Sequence, residues 1–198
     1  MTSSARPLRA DAARNRELLL AAAEEEFAAR GIDASIADIA DRAGVAKATV
    51  FSHFTSKEEL IAAIVGGHFA ALTAVARRLL ATADPEAALS EFLTVAADGI
   101  KQQDLTFLRA DDDSRVTELR NDLHVAVSAL VDRARAAGAI RADITGTDVF
   151  LLICAPVHVA GCHPNAHPDL WRRYQAIIFD GLRPSGANPL PQPPPSWP

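Results

Sequence analysis

The chain has little of several things, and each shortage removes a class of function. Only two cysteines occur among its 198 residues, Cys154 and Cys162, without a close-spaced pairing pattern, so no disulfide framework is expected to hold the fold. The opening residues 1–7 are polar with no apolar segment behind them, which gives no sign of a secretory leader; the expected location is the cytoplasm, with reduced thiols. The longest apolar run, Val149 to Ala160, is broken by Pro156 and His158 and falls short of the roughly 20 residues a bilayer span needs, so no membrane partner is expected. Excess positive charge is missing too. A net charge of −5 argues against coating nucleic acid through a bulk positive field, so any DNA contact must come from a local set of side chains. No stretch alternates with period two for long enough to make a strand, which leaves an all-α chain. A Gly-rich phosphate loop, a nucleophile elbow and a paired His-Glu zinc helix are also lacking, so no enzyme and no cofactor is expected.

What is present is helical periodicity in a chain that is 49% hydrophobic, enough for a real core. Residues 1–11, with Arg6 and Arg9, are expected to be a flexible arm, and the first helix to run from Asp11 to Arg30, burying Leu19, Ala22, Ala23 and Phe27 and ending at Gly31. The consecutive Glu24, Glu25 and Glu26 spread around a helix and cannot converge on a metal, so they are expected to face solvent. From Lys57 one long helix continues to about Thr82, softened by Gly66-Gly67. Asp84-Pro85 starts another, and Asp113-Ser114 starts one that stops at Gly138. Thr145 caps a helix running to about Ala160, and a last one runs from near Pro168 to Gly181. The Pro-rich tail, residues 184–198, is expected to be disordered.

The chemistry concentrates in residues 35–54. Ile36, Ile39, Ala40 and Ala43 make one apolar helix face, Ser35 is placed to cap it, and Gly44 sits where a helix ends at positive φ. In the second half Val50 and Phe54 are four apart and can pack back, leaving Lys47, Ala48, Thr49, Ser52 and His53 mostly outward. This describes a helix-turn-helix whose second helix enters a DNA major groove, although an ordinary αα-corner has the same outline. The next residues add weight, because Ser56 and Glu59 make a Ser-x-x-Glu capping box that starts the long helix.

The run Ile39-Ala40-x-x-Ala43-Gly44-Val45-x-x-x-Thr49-x-x-x-His53-Phe54-x-Ser56-Lys57-Glu58-Glu59-Leu60 resembles the DNA-binding domain of the tetracycline-repressor (TetR) family of bacterial regulators, over about the first third of the chain. The resemblance implies a three-helix DNA-binding head over residues 12–56 and a ligand-binding and dimerisation body over 57–183. It also implies a homodimer built through the last two body helices, acting as a repressor that a small hydrophobic effector releases from a palindromic operator. Matched to the motif, Lys47, Ala48 and Thr49 face base edges, while Ser35, Ser52, His53 and Lys57 bind phosphate. Ala46, Ala48 and Phe51 depart from the common pattern of a cap former, a glycine and a tyrosine, and Phe51 lacks the hydroxyl that would reach a phosphate or base.

For the effector, an apolar majority with a few polar anchors suggests Phe92, Phe107, Leu119, Leu123, His124, Phe150, His158 and Trp171 as lining, each of which core packing would explain equally well. Cys154, His158 and Cys162 are spaced by four and have the donor types of a zinc, copper or thiol site. Pro156 disturbs the register between them, so no metal is assigned. The rival reading, motivated by Ala46, Ala48 and Phe51, is a helical small-molecule or metal and thiol sensor whose head binds no specific operator.

Overall fold

Apolar residues spaced by three and four close into helices, and no strand occurs among the described residues. The computed structural model describes residues 5–102, 108, 110 and 113–197, with side chains from residue 13 onward. The helices are α1 (Ala5–Arg30), α2 (Ile36–Ala43), α3 (Lys47–His53), α4 (Lys57–Leu79), α5 (Pro85–Gln102), α6 (Ser114–Ala136), α7 (Gly146–Leu152), α8 (Ala155–Gly161) and α9 (Leu170–Leu182). The backbone is already helical at Ala5, where a mobile arm to residue 11 was expected; the side chains of Arg6 and Arg9 lie outside the described residues. By length and composition α4 could cross a bilayer, but its Leu60, Ile61, Ile64, Ala76 and Leu79 are buried inside the protein.

The chain divides into two units, residues 1–67 with 103–116 and residues 68–102 with 117–198. The first unit therefore keeps the opening half of α4, more than the 12–56 expected, because Leu60, Ile61 and Ile64 complete its core. The division falls beside the Gly66-Gly67 pair. Leu19, Ala22, Ala23 and Phe27 of α1 meet Ile39 and Ala40 of α2 and Val50 of α3 in that core.

Glu26 corrects the expectation of a solvated acidic face. It is 3% exposed, with Arg42 Nε donating to its Oε1 at 2.6 Å. Arg30 Nε stands 3.1 Å from Oε2, near enough to pair the charge but off line for a hydrogen bond. Glu25 stays exposed and accepts from Arg42 Nη1 at 2.9 Å.

In the second unit, Leu89 and Phe92 of α5 pack with Leu123, Val127, Leu130 and Val131 of α6, Val149 of α7 and Phe179 and Leu182 of α9. Polar groups close the helix ends. Asp84 Oδ1 accepts from the Glu86 and Ala87 amides at 2.9 and 3.1 Å, and Thr145 and Asp148 form a reciprocal capping box on α7. Arg133, from α6, donates to the carbonyls of Leu80 at 2.9 Å and of Thr82, satisfying acceptors that the end of α4 leaves over.

The single helix expected from Thr147 to Ala160 is two. Pro156 has no amide to offer the carbonyl of Leu152 and its ring would clash with it, so α7 stops at Leu152 and α8 restarts with Pro156 in its first turn. Gly146 is required for a different reason. A Cβ there would stand 2.6 Å from Ser128 Cα, so only glycine lets α7 come this close to α6.

Candidate nucleic-acid interface and ligand site

The turn between α2 and α3 is made by Gly44 at φ 68 and ψ 31, with its amide directed at the carbonyls of Ala40 and Asp41. Ser35 caps α2 as expected, accepting from the Asp38 amide at 3.2 Å, and Asp38 returns the contact by accepting from the Ser35 amide at 3.0 Å. The Ser35 hydroxyl, then its amide, then the Arg30 charge hold the Asp38 carboxyl below its ordinary range. Because the Ser35 hydroxyl is already committed to this box, a phosphate would have to compete for it.

Along α3, Val50 is fully buried, and Phe54 just beyond it is buried as well. The exposed arc opposite them is Lys47, Ala48, Phe51 and Ser52, while Thr49 and His53 stand half-buried at its margins. Phe51 is 44% exposed, and Lys47 Nζ lies 5.8 Å from its ring centroid, so the ammonium and the ring form one continuous surface. Ala46, ahead of α3, makes no side-chain cap bond, and the Ser52 hydroxyl donates to the Thr49 carbonyl at 2.7 Å. Lys57 is drawn partly inward: its Nζ donates to the Ile32 carbonyl and lies 5.6 Å from the Phe27 ring centroid.

The start of α4 departs in detail from the expected box. Ser56 Oγ accepts from the Glu59 amide at 3.1 Å, but the Glu59 carboxylate reaches back to Thr55, accepting from its hydroxyl and amide at 2.7 Å each. The Thr55 hydroxyl and amide, with the Arg115 and Arg16 charges behind them, hold the Glu59 carboxyl low. Arg16 is a residue that the motif did not single out. Exposed on α1, it stacks its guanidinium 4.9 Å from the Phe54 ring centroid, which puts a further cation on the head; its place three residues before Leu19 of the buried stripe was the available signal.

The described residues expected to line an effector pocket are spread over several places. Phe92 and Leu123 are buried in the body core, Trp171 sits in a separate small cluster with Ala97 and Ala160, Leu119 is half-buried and His158 is exposed. Phe107 lies outside the described residues. Phe150 packs against the same core as Phe92 and Leu123, and it meets His124 in a T-shaped contact with ring centroids 5.9 Å apart. Thr147, which the sequence did not single out, bonds His124 Nε2 through its hydroxyl at 3.0 Å, and burial pushes the imidazole pKa down. Both contacts depend on the close approach that Gly146 allows between α6 and α7.

The tail expected to be disordered has no helix or strand among its described residues, yet it supplies the third ring of this group. Trp197 lies parallel to His124, centroids 3.9 Å apart and planes 8° apart, with Phe150 in a T-shaped arrangement at 4.8 Å. A cavity of about 380 Å³ lies elsewhere, lined in part by Arg141, Asp180, Arg183 and Asn188. Among the described residues no three His, Cys, Asp or Glu side chains gather as metal ligands. Cys154 precedes α8, and the exposed Cys162 directs its thiol to the His158 carbonyl at 3.4 Å.

Residues 19–64 match the model of the tetR family of bacterial regulatory proteins, and residues 84–184 that of the C-terminal domain of SbtR-like transcriptional regulators. The crystal structure of a TetR transcriptional regulator from Streptomyces coelicolor superposes with a TM-score of 0.62 at 31% identity, over 86% of this chain and 99% of that one. The transcriptional repressor KstR2 of Rhodococcus jostii is 28% identical over 184 residues, 83% of this chain and 89% of its own length. The transcriptional activator FasR of Mycolicibacterium smegmatis is 46% identical over 65 residues, which are 32% of this chain and span only 30% of that relative.

Proposed function

The chain belongs to the TetR family of transcriptional regulators, with a DNA-binding helix-turn-helix head and a ligand-binding C-terminal domain, and from that premise we propose that it is a repressor released from a near-palindromic operator by a small hydrophobic effector. The single observation that carries the DNA-reading part is the exposed arc of α3, in which Lys47, Ala48, Phe51 and Ser52 face outward while Val50 is anchored in the core behind them. Lys47 donates to guanine O6 or N7, and Ala48 and Phe51 offer apolar contact to thymine methyl groups. Thr49 joins Lys47 and Ala48 at the base edges, while Ser35, Ser52, His53 and Lys57 fix register on the backbone. Repression is favoured over activation because the likeness to the repressor KstR2 runs through most of the chain, whereas that to the activator FasR is confined to 65 residues.

Members of this family act as dimers on DNA operators. The dimer is assigned to α8 and α9, where Val159 and Ile177 are 46% and 54% exposed and offer apolar surface for a second copy. Two heads then present α3 to major grooves about 34 Å apart, or a multiple of that. Effector bound in the body releases DNA through its higher affinity for a dimer state with wrongly spaced heads.

Selection of duplexes from a random pool, followed by binding of the enriched site at two salt concentrations, tests this. A near-palindromic site whose affinity falls with salt is the expected result; a pool without any enriched palindrome overturns it. That second outcome would favour the sensor without an operator, a reading kept alive by the uncapped start of α3 at Ala46 and by the missing hydroxyl at Phe51.

A further inference from the structure

Trp197 belongs to none of the buried core clusters, yet its ring meets His124, Phe150, Asn121 and Arg120. We propose that the corner formed where His124 on α6 meets Phe150 on α7 is a binding slot for a planar aromatic molecule carrying a ring N–H or an equivalent donor, and that the chain's own Trp197 fills this slot until such a molecule displaces it.

The slot selects on separate features of its occupant. The imidazole offers a flat face at 3.9 Å, and Phe150 stands T-shaped to the occupant at 4.8 Å and 74°. Asn121 Oδ1 accepts from the indole Nε1–H at 2.9 Å, which fixes the ring's orientation. The Arg120 guanidinium, 5.7 Å from the ring centroid, favours an electron-rich system. Thr147 holds the imidazole plane through its 3.0 Å contact with Nε2. An occupant lacking the donor would leave the Asn121 oxygen to water and lose that orientation.

The way Trp197 arrives marks it as a tethered occupant and not a core residue. Residues 183–196 are exposed, so the strap holds on mainly through its ring. Its near end is fixed where Arg141 Nη2 donates to the Asn188 carbonyl. Beyond that point Pro189, Pro191, Pro193, Pro194 and Pro195 stiffen the strap at ~3.1 Å per residue, which limits the entropy lost on docking. A tethered ring competes with a free ligand at the high effective concentration its tether imposes, so removing it should raise the affinity for a free aromatic. The proposal deepens the effector part of the function proposed above and rests on it only for the consequence at DNA.

Indole is the probe. In the full-length protein labelled with nitrogen-15, the Trp171 and Trp197 ring N–H signals are assigned with W197A and followed as unlabelled indole is added. The Trp197 signal should move toward that of a solvated tryptophan, while that of Trp171, buried in its own cluster, stays. By calorimetry W197A should bind indole about tenfold tighter than the unaltered chain. W197A should also prefer indole to toluene, which has no donor, and adding N121A should abolish that preference. A stationary Trp197 signal, or equal indole affinity with and without Trp197, overturns the slot. Operator binding measured with and without indole separates the two readings: a filled slot with unchanged DNA affinity upholds the slot and removes the effector role.

Discussion

Arg42 on α2 donates from Nε to Glu26 Oε1 on α1 at 2.6 Å, tying the first helix of the reading head to the helix that precedes the recognition helix. Glu26 is 3% exposed, so removing this guanidinium leaves a buried carboxylate with Arg30 beside it and a hydrogen bond lost. Arg42→Ala should therefore lower the thermal midpoint clearly more than Glu25→Ala, since the Glu25 side chain is 63% exposed and its pair is screened. Adding Glu26→Gln to Arg42→Ala should recover part of the loss. Equal midpoints for the two single variants would mean that Glu26 finds water once Arg42 is gone.

A second expectation concerns the approach of α7 to α6. Gly146→Ala places a methyl 2.6 Å from Ser128 Cα and nearer still to its hydroxyl, and shortening Ser128 cannot relieve the backbone contact. The helices must separate, at a cost of about 1–3 kcal/mol, read as a lower denaturant midpoint with unchanged slope. Because Thr147 and Phe150 ride on the same helix, the Trp197 ring N–H signal should shift in this variant.

How far the sequence carried these conclusions depends on the range of the interaction. The head was legible because its signals are local: Ser35 and Gly44 end α2 through their own backbone neighbourhoods, and Val50 and Phe54 are four apart on one face. The division of one expected helix into α7 and α8 was legible in part, since Pro156 was noted as a disturbance without being given its consequence as a new start. Glu26 was not legible, because its partner Arg42 lies sixteen residues away and a run of three glutamates shows nothing of which one turns inward. The surroundings of His124 and Phe150 were less legible still, for the same reason. His124 and Phe150 were named for their residue types; Asn121 and Thr147 lie three residues from them on the same helices, but the Thr147 contact to His124 and the Trp197 contacts are made by long-range packing, the latter from a tail whose composition gives no folding signal of its own.

The cap on α2 predicts a pH dependence with a definite sign. Hydrogen bonds from Ser35 lower the Asp38 pKa in the folded chain below its ordinary value of 3.8, so the unfolded chain binds the proton more readily. The stabilisation is complete above the unfolded value and is lost as pH falls through the folded one. The stability difference between the unaltered chain and Asp38→Asn should be constant from pH 7 to about 5 and shrink below about 4. A difference that stays the same at pH 3 would show that the carboxylate charge contributes nothing to the cap.

The last expectation separates base reading from backbone anchoring on α3. Lys47 is exposed with Nζ 5.8 Å from the Phe51 ring, so the ring limits where the ammonium can point and directs it along the outward face. If Lys47 reads a guanine, Lys47→Met should lower affinity for the selected operator by about tenfold to a hundredfold and relax preference at one base pair in each half-site. If it meets phosphate, affinity should fall uniformly across sequences and the salt slope should drop by about 1. Phe51→Tyr is the complementary change, because a hydroxyl at a position 44% exposed can reach a phosphate without disturbing the buried Val50 behind it. The tyrosine variant should bind all duplexes more tightly while keeping the operator's sequence. Were Phe51→Tyr instead to change which bases are selected, the phenyl ring itself would be touching base edges, and the specificity of this head would lie in an apolar contact as much as in its lysine.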